Sequence, residues 1–106
     1  MVGSSVIQSL QNHGFNNILT KTRQELDLLD QSSVSLFFKK EQVDIVILCA
    51  AKVGGILANN TYRADFIYEN ITISSNIIKS CHDSGVKKLI NLGSSCIYPR
   101  DAKIPI

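Results

Sequence analysis

The chain has 106 residues, of which 44% are hydrophobic and 19% charged, and its formal net charge is +2. This length suits one small domain with a single core, and the composition is that of a globular protein. Two isolated basic doublets, at 39–40 and 87–88, do not form the cluster that nucleic-acid binding needs. The longest apolar run, residues 45–51, falls far short of the roughly 20 residues of a membrane helix. We therefore expect a cytoplasmic protein that binds neither nucleic acid nor membrane.

The first part of the chain is predicted to form a helix and short strands. Apolar residues recur at helical spacing from Gly3, and Gly14 stands where this helix should end. Residues 17–21 are predicted to form a short strand, and residues 26–29 could form a second.

A second helix leads into the most hydrophobic segment of the chain. Ser32 or Ser33 is expected to cap this helix. Residues 45–49 are apolar at every position, which is typical of a strand buried on both faces of a parallel sheet. A loop over residues 50–60 follows and carries two glycines.

The remainder is predicted to hold one long helix and a last strand. The helix opens at Thr61 or Tyr62 and ends at Gly85, and a strand over 88–92 and a loop over 93–106 follow. One helical face carries Phe66, Asn70, Ile73, Ile77 and Cys81. Because strands and helices alternate, the pattern predicts an α/β fold with a layered parallel sheet and right-handed crossovers.

The three cysteines are widely spaced, and none lies at metal-ligand spacing, so we expect neither a disulfide framework nor a zinc site. Cys49 and Cys81 lie on apolar faces and are assigned to the core. Cys96 has two interpretations, a small buried hydrophobe or a reactive thiol in a loop.

Polar segments follow the predicted strands, at the sheet edge where such folds bind ligands. Ser94 and Ser95 after the last strand are either turn residues or hydroxyls that hold a substrate carbonyl. Arg23 is either a surface residue or a contact for the 2′-phosphate that distinguishes NADP from NAD. Asp27 is a turn residue or a ligand, and Lys52 an exposed charge or a ligand. On the long helix, Asn70 either satisfies a buried backbone group or positions a water.

Two motifs carry a family resemblance. Ala-Ala-Lys-Val-Gly-Gly-Ile at 50–56 and Leu-Gly-Ser-Ser-Cys-Ile-Tyr-Pro at 92–99 resemble the GDP-L-fucose synthase family of extended short-chain dehydrogenases/reductases. Segments 58–62, 64–68 and 75–78 match as well, so the resemblance covers essentially the whole chain. It implies a Rossmann-like doubly wound parallel sheet. It also implies an NADPH-dependent enzyme that epimerises C3 and C5 of GDP-4-keto-6-deoxy-D-mannose and then reduces its C4 ketone to give GDP-L-fucose.

The resemblance implies roles for individual residues. Ser94 is similar to the serine of a Ser/Tyr/Lys triad that hydrogen-bonds the C4 oxygen. Cys96 resembles the cysteine that exchanges protons during epimerisation, since protons beside a ketone are acidic enough for a thiolate to remove one. The implied cofactor-binding residues are Met1, Val2 and Gly3 at the pyrophosphate turn, Arg23 at the 2′-phosphate, Asp27 and Leu28 at the adenine, Ala50, Ala51 and Lys52 along the cofactor, and Leu92, Gly93 and Ser95 near the nicotinamide.

The sequence also departs from the family pattern. The family's Tyr-x-x-x-Lys pair is absent, because Phe66, Thr72 and Ala102 stand four residues after the three tyrosines. The family's first strand and C-terminal substrate domain have no counterpart in these residues. We therefore expect residues 1–106 to be a partial NADP-binding domain of a homodimeric parent enzyme, which alone neither folds stably nor turns over substrate.

Two rival interpretations stay open. The chain could be a non-catalytic remnant that pairs with a full-length subunit, or part of another nucleotide-sugar epimerase or reductase of the same superfamily. The Gly-Ser-Ser-Cys run argues against the second rival, since relatives that do not epimerise C3 and C5 have no evident need for the cysteine.

Overall fold

The computed structural model describes residues 1–94, 97–99 and 101–103. The helices and strands within these ranges are α1 (Val2–Asn12), α2 (Gln31–Glu41), β1 (Ile45–Leu48), α3 (Ile56–Thr61), α4 (Arg63–Asp83) and β2 (Lys88–Asn91). The two strands are parallel and in direct register, with Ile45 opposite Lys88 and Leu48 opposite Asn91. Since α4 connects them, β1, α4 and β2 form the predicted βαβ unit.

The core lies where α2 and α4 pack over β1. Its buried residues are Val34, Phe38, Leu48, Ile73, Ile77 and Cys81. The predicted apolar face of α4 is confirmed, because three of its members are in this core. The core assignment holds for Cys81, and burial raises the pKa of its thiol, whereas Cys49 is only half-buried.

Helix α2 begins two or three residues earlier than the serines suggest. Its N-cap is Asp30, whose Oδ1 accepts a hydrogen bond from the backbone N–H of Ser32 at 3.0 Å. The hydroxyl of Ser33 donates to Oδ2 of the same carboxylate at 2.5 Å. The predicted cap at Ser32 or Ser33 is therefore wrong. Both serines donate to the Asp30 carboxylate, whereas a capping serine would accept a hydrogen bond from a backbone N–H two or three residues later.

The segment before α2 contains turns in place of the predicted strands. Residues 17–21 pair with no strand in the described part of the chain, and a strand is stable only when its backbone groups find such a partner. Residues 26–29 instead place three leucines against the core, and the side chain of Asn76 holds them there. This Asn76 Nδ2 donates to the carbonyl of Leu28 at 2.9 Å and to that of Leu29 at 3.3 Å.

Strand β1 is not buried on both faces as predicted. Leu48 is buried, but Ile45 remains 56% exposed, because α2 and α4 cover one face only. The region predicted as the loop 50–60 contains the short helix α3. Both helix-ending glycines, Gly14 and Gly85, have positive φ angles of 83° and 69°, as expected for residues that follow a helix.

The chain has an open shape for its size. It exposes 8549 Å², whereas a compact monomer of this mass exposes about 5,900 Å². Its radius of gyration is 15.6 Å, against about 13 Å for a compact domain of this length. Among the described helices, none has the length and apolar character to cross a bilayer.

Candidate functional site

Two chain segments leave the sheet side by side at its carboxyl edge. Leu48 ends β1 opposite Asn91, which ends β2. The N–H of Leu92 donates to the carbonyl of Leu48 at 3.3 Å, which extends the pairing one step beyond the strands. The predicted adjacency of the segments after the two strands is therefore confirmed.

The first turn of α1 lies at the same edge. A Cβ atom placed on Gly3 would lie 3.7 Å from the Cβ of Cys49, the residue that follows β1. Met1 and Val2 are both exposed, and Met1 makes no side-chain cap to the helix. The first turn also carries no acidic residue. Its backbone N–H groups thus present a partial positive charge, as helices that bind phosphate groups do.

An open pocket of about 730 Å³ lies beside these segments. Its lining residues are Ala51, Lys52, Val53, Gly54, Ile56, Asn59, Asn60, Arg63, Asn70 and Ser94. Among the predicted site residues, the pocket therefore brings together Ala51 and Lys52 from one segment and Ser94 from the other. Another pocket, of about 530 Å³, lies at the opposite edge of the sheet, between Asp44 and Gly85.

Lys52 is bound by α4 through both its backbone and its side chain. Its N–H donates to Asn70 Oδ1 at 2.8 Å, and Asn70 Nδ2 donates back to its carbonyl at 3.0 Å. Its ammonium lies 2.5 Å from Glu69 Oε1 and 5.4 Å from the centre of the Phe66 ring. The interpretation of Lys52 as an exposed charge is therefore wrong. Of the two roles considered for Asn70, satisfying a buried backbone group is confirmed.

The Gly54-Gly55 pair allows the chain to turn tightly beside α4. A Cβ on Gly54 would lie 2.9 Å from Phe66 Cζ, which is closer than real contacts allow. The side chain of Asn59 then donates to the carbonyls of Gly54 and Gly55 at 2.8 and 3.0 Å. Any larger residue at position 54 would therefore require the Phe66 ring or the chain to shift.

The sequence did not suggest the other polar residues of the pocket. Arg63 donates through Nε to the carbonyl of Asn60 at 3.1 Å and through Nη2 to the Asn60 side chain. Glu69 was also missed. The run Asn59-Asn60, in the last turn of α3, is the signal that could have drawn attention to this end of the pocket.

The three residues predicted for the adenosine half lie apart from the pocket. Arg23, Asp27 and Leu28 are not among its lining residues in the described part of the chain. Asp27 Oδ1 accepts from the N–H of Leu29 at 3.0 Å, so Asp27 stabilises a turn, and its expected ligand role stays a prediction. Leu28 is half-buried against the core, and Arg23 is exposed.

The segment after β2 is described in part. Ser94 lines the pocket, Leu92 is 46% exposed, and a Cβ on Gly93 would contact nothing within 4 Å. The predicted residues Ser95 and Cys96 lie outside the described residues.

Comparison with known proteins gives consistent results. The sequence profile of the NAD dependent epimerase/dehydratase family matches residues 1–106. The chain is 56% identical over 106 residues to GDP-L-fucose synthase 1 of Arabidopsis thaliana and 55% identical over 106 residues to GDP-L-fucose synthase of Escherichia coli strain K12. Each match covers 100% of this chain and 33% of the relative, so the chain spans about a third of their length.

Solved structures share the fold. The chain superimposes with a TM-score of 0.91 and 47% identity on GDP-mannoheptose C4 reductase from Campylobacter jejuni with NADP bound, covering 98% of this chain and 33% of that one. Together with the β1–α4–β2 unit, this similarity confirms the predicted Rossmann-like parallel α/β fold, of which the chain contains a part. The resemblance to the GDP-L-fucose synthase family is confirmed as well.

Proposed function

The chain belongs to the NAD-dependent epimerase/dehydratase family, and from this we propose that it forms the cofactor-binding region of an NADP-dependent enzyme that converts GDP-4-keto-6-deoxy-D-mannose to GDP-L-fucose. The observation that carries the proposal is the convergence of three segments at the carboxyl edge of the sheet, Met1–Gly3, Ala51–Gly54 and Leu92–Ser94. Dinucleotides bind at this edge in Rossmann-like folds.

The residues at this edge fit the cofactor. The exposed first turn of α1, with no acidic residue and no side-chain cap, suits a pyrophosphate, and Gly3 keeps the backbone close to Cys49. We propose that Met1, Val2 and Gly3 hold the pyrophosphate, that Arg23 contacts the 2′-phosphate, and that Asp27 and Leu28 flank the adenine. The proposed contacts near the remainder of the cofactor are Ala50, Ala51, Lys52, Leu92, Gly93 and Ser95. When bound, NADPH supplies the hydride that reduces the C4 ketone.

Two side chains are proposed to act on the sugar. Ser94, at the pocket, would donate a hydrogen bond to the C4 oxygen and stabilise negative charge that develops there. Cys96 would donate or accept the proton on one face of the sugar at C3 and C5, and a second acid–base group of the enzyme would act on the opposite face, since each epimerisation removes a proton from one face and returns one to the other. These two steps change configuration without any net oxidation or reduction.

We propose that the 106-residue chain alone does not turn over substrate. Reduction of a ketone needs a proton donor, and the Tyr-x-x-x-Lys pair that supplies it in this family is missing from the sequence. The open shape and large exposed surface support a requirement for additional polypeptide around the site. Homodimer formation by the parent enzyme and a cytoplasmic location remain part of this proposal.

A second candidate function is reduction of a GDP-heptose. The similarity to the Campylobacter jejuni C4 reductase, at 47% identity, favours this alternative. A reductase of that kind and a fucose synthase differ in substrate, so the two candidates can be separated directly.

The test is a hybrid synthase, in which these 106 residues replace the matching segment of the Escherichia coli relative. We expect it to oxidise NADPH with GDP-4-keto-6-deoxy-D-mannose and to form GDP-L-fucose. The unaltered Escherichia coli enzyme is the control for substrate quality and assay conditions. A folded hybrid that acts only on a GDP-4-keto-heptose would favour the second candidate, and one that binds NADPH but converts neither substrate would contradict both.

A further inference from the structure

Three residues of α4 fasten the chain segment that forms one wall of the pocket. Phe66, Glu69 and Asn70 lie on one helical face, because they are three and four residues apart. Each touches a different part of segment 52–54. Asn70 binds the backbone of Lys52, Glu69 binds its ammonium, and the Phe66 ring lies against Gly54.

The contact made by Asn70 depends on its side-chain amide. Its Oδ1 accepts from the Lys52 N–H at 2.8 Å while its Nδ2 donates to the Lys52 carbonyl at 3.0 Å. One side chain thus satisfies both backbone groups of a residue that has just left β1, as a neighbouring strand would. A carboxylate at this position could only accept, and an apolar side chain could do neither.

The contact made by Glu69 engages the charge of Lys52. The Lys52 side chain is 30% exposed and the Glu69 side chain 21% exposed, and their charged atoms are 2.5 Å apart. A partly buried ion pair of this kind is stronger than an exposed one, because less water screens it. The ammonium of Lys52 is therefore held towards α4 while its backbone lines the pocket.

We propose that Asn70 and Glu69 are positioning residues that hold Lys52–Gly54 in the conformation that receives the cofactor. Lys52 then serves the site through its backbone, and its ammonium acts on Glu69 and not on a cofactor phosphate. This inference rests on the proposed function for its cofactor. The contacts of Asn70 and Glu69 with Lys52, which we call the clamp, can be tested without any ligand.

The first experiment measures backbone amide exchange at Lys52 in the hybrid synthase without NADPH. Asn70→Ala removes the oxygen that accepts from the Lys52 N–H, so we expect the Lys52 amide to exchange roughly five- to tenfold faster, the effect of losing one hydrogen bond. Asn16→Ala makes the same chemical change at an exposed asparagine and should leave this rate unchanged. An unprotected Lys52 amide in the parent hybrid, or the same rate in Asn70→Ala, would overturn the clamp.

The second experiment separates the two roles of the Lys52 ammonium. Lys52→Met and Glu69→Gln should each raise the KM for NADPH several-fold with a smaller change in kcat, and the double variant should be no worse than either single one. Our assignment would be overturned if the effects of the two variants were additive and Lys52→Met were much the more damaging. A reduced salt dependence of NADPH binding in Lys52→Met would then place the ammonium on a cofactor phosphate.

The two experiments also distinguish this inference from the proposed function. If the parent hybrid binds no NADPH, the proposed function fails, and amide exchange alone decides the clamp. If Asn70→Ala does not fold, the pair Lys52→Met and Glu69→Gln still decides the role of the ammonium.

Discussion

Asn76, on the buried face of α4, donates a hydrogen bond to the backbone carbonyl of Leu28 at 2.9 Å. The same nitrogen lies 3.3 Å from the carbonyl of Leu29. This one side chain fixes the turn that carries three leucines against the core and leads into α2. A polar residue in the interior therefore connects two parts of the chain that are 48 residues apart.

Replacing Asn76 should destabilise the protein without altering the pocket. Asn76→Leu leaves two partly buried carbonyls without their donor, and we expect a loss of about 2 kcal/mol in the free energy of unfolding. Urea denaturation of the hybrid synthase measures this loss. Ser75→Ala, at the exposed neighbouring position of α4, is the control and should change stability little. Equal denaturation midpoints for the two variants would contradict the role of Asn76.

Adding one methyl group at Gly54 should disturb the pocket wall. The new Cβ in Gly54→Ala would lie 2.9 Å from Phe66 Cζ and 3.2 Å from Ala58 Cβ, so the wall or the ring must move. We expect a loss of about 1–3 kcal/mol in unfolding free energy, together with weaker NADPH binding. Gly55→Ala is the matched control, since its Cβ would meet nothing within 4 Å.

The clash predicts a specific rescue. Replacing the ring by the shorter leucine side chain, in the double variant Gly54→Ala with Phe66→Leu, should recover part of the lost stability. Leucine lacks the Cζ atom that the new Cβ would meet. If Gly54→Ala and Gly55→Ala behave alike in calorimetry and in NADPH titration, close packing against Phe66 is not the reason for the glycine.

The pH dependence of stability should include a contribution from the N-cap of α2. Hydrogen bonds from the Ser33 hydroxyl, and then from backbone N–H groups, lower the pKa of Asp30 below its ordinary value. A lowered pKa in the folded state means that the carboxylate stabilises the fold at pH values above the unfolded-state pKa. This contribution is lost as the pH falls through the lowered pKa, in the range below about pH 4.

The variant Asp30→Asn tests this contribution. Asparagine still caps a helix but does not titrate, so the unfolding midpoint of Asp30→Asn should fall less steeply than that of the parent hybrid between about pH 5 and pH 2.5. Parallel profiles for the two proteins would show that Asp30 contributes nothing to the acid sensitivity.

The isolated 106-residue chain should be marginally stable. It exposes 8549 Å², about 2,600 Å² more than a compact monomer of its mass, and among the described residues six hydrophobic ones are buried in the core. We expect calorimetry to show no cooperative unfolding transition and assays to show no NADPH oxidation with the keto-sugar nucleotide. A sharp transition together with turnover would contradict this expectation.

Local sequence patterns predicted the framework of the fold. Two local hydrophobic patterns identified β1 and α4 correctly, since each depends only on the residues of one element. These patterns are the uninterrupted apolar run 45–48 and the helical spacing of Ile73, Ile77 and Cys81. Positive-φ positions after helices favour glycine, so Gly14 and Gly85 marked two helix ends. Such signals depend on neighbours in sequence and can be recognised without knowing the tertiary structure.

The remaining features depend on contacts between distant residues. Glu69 meets Lys52 across 17 positions, and nothing in either local sequence indicates the pairing. Residues 17–21 have strand-like composition, but a strand also needs a neighbour with which to exchange hydrogen bonds. The convergence of Met1–Gly3 with the ends of β1 and β2 was inferred from the family resemblance, since the residues alone could not place α1.

We propose that this chain supplies the cofactor site and Cys96 of an enzyme that both epimerises and reduces a GDP-keto-sugar. The most direct measurement is the isotope content and configuration of the product that the hybrid synthase forms in D₂O, with Cys96→Ser as the comparison. We expect GDP-L-fucose carrying deuterium at C3 and C5, with incorporation largely lost in Cys96→Ser while NADPH binding persists. A reduced product that keeps the D configuration and carries no deuterium at these carbons would contradict this proposal.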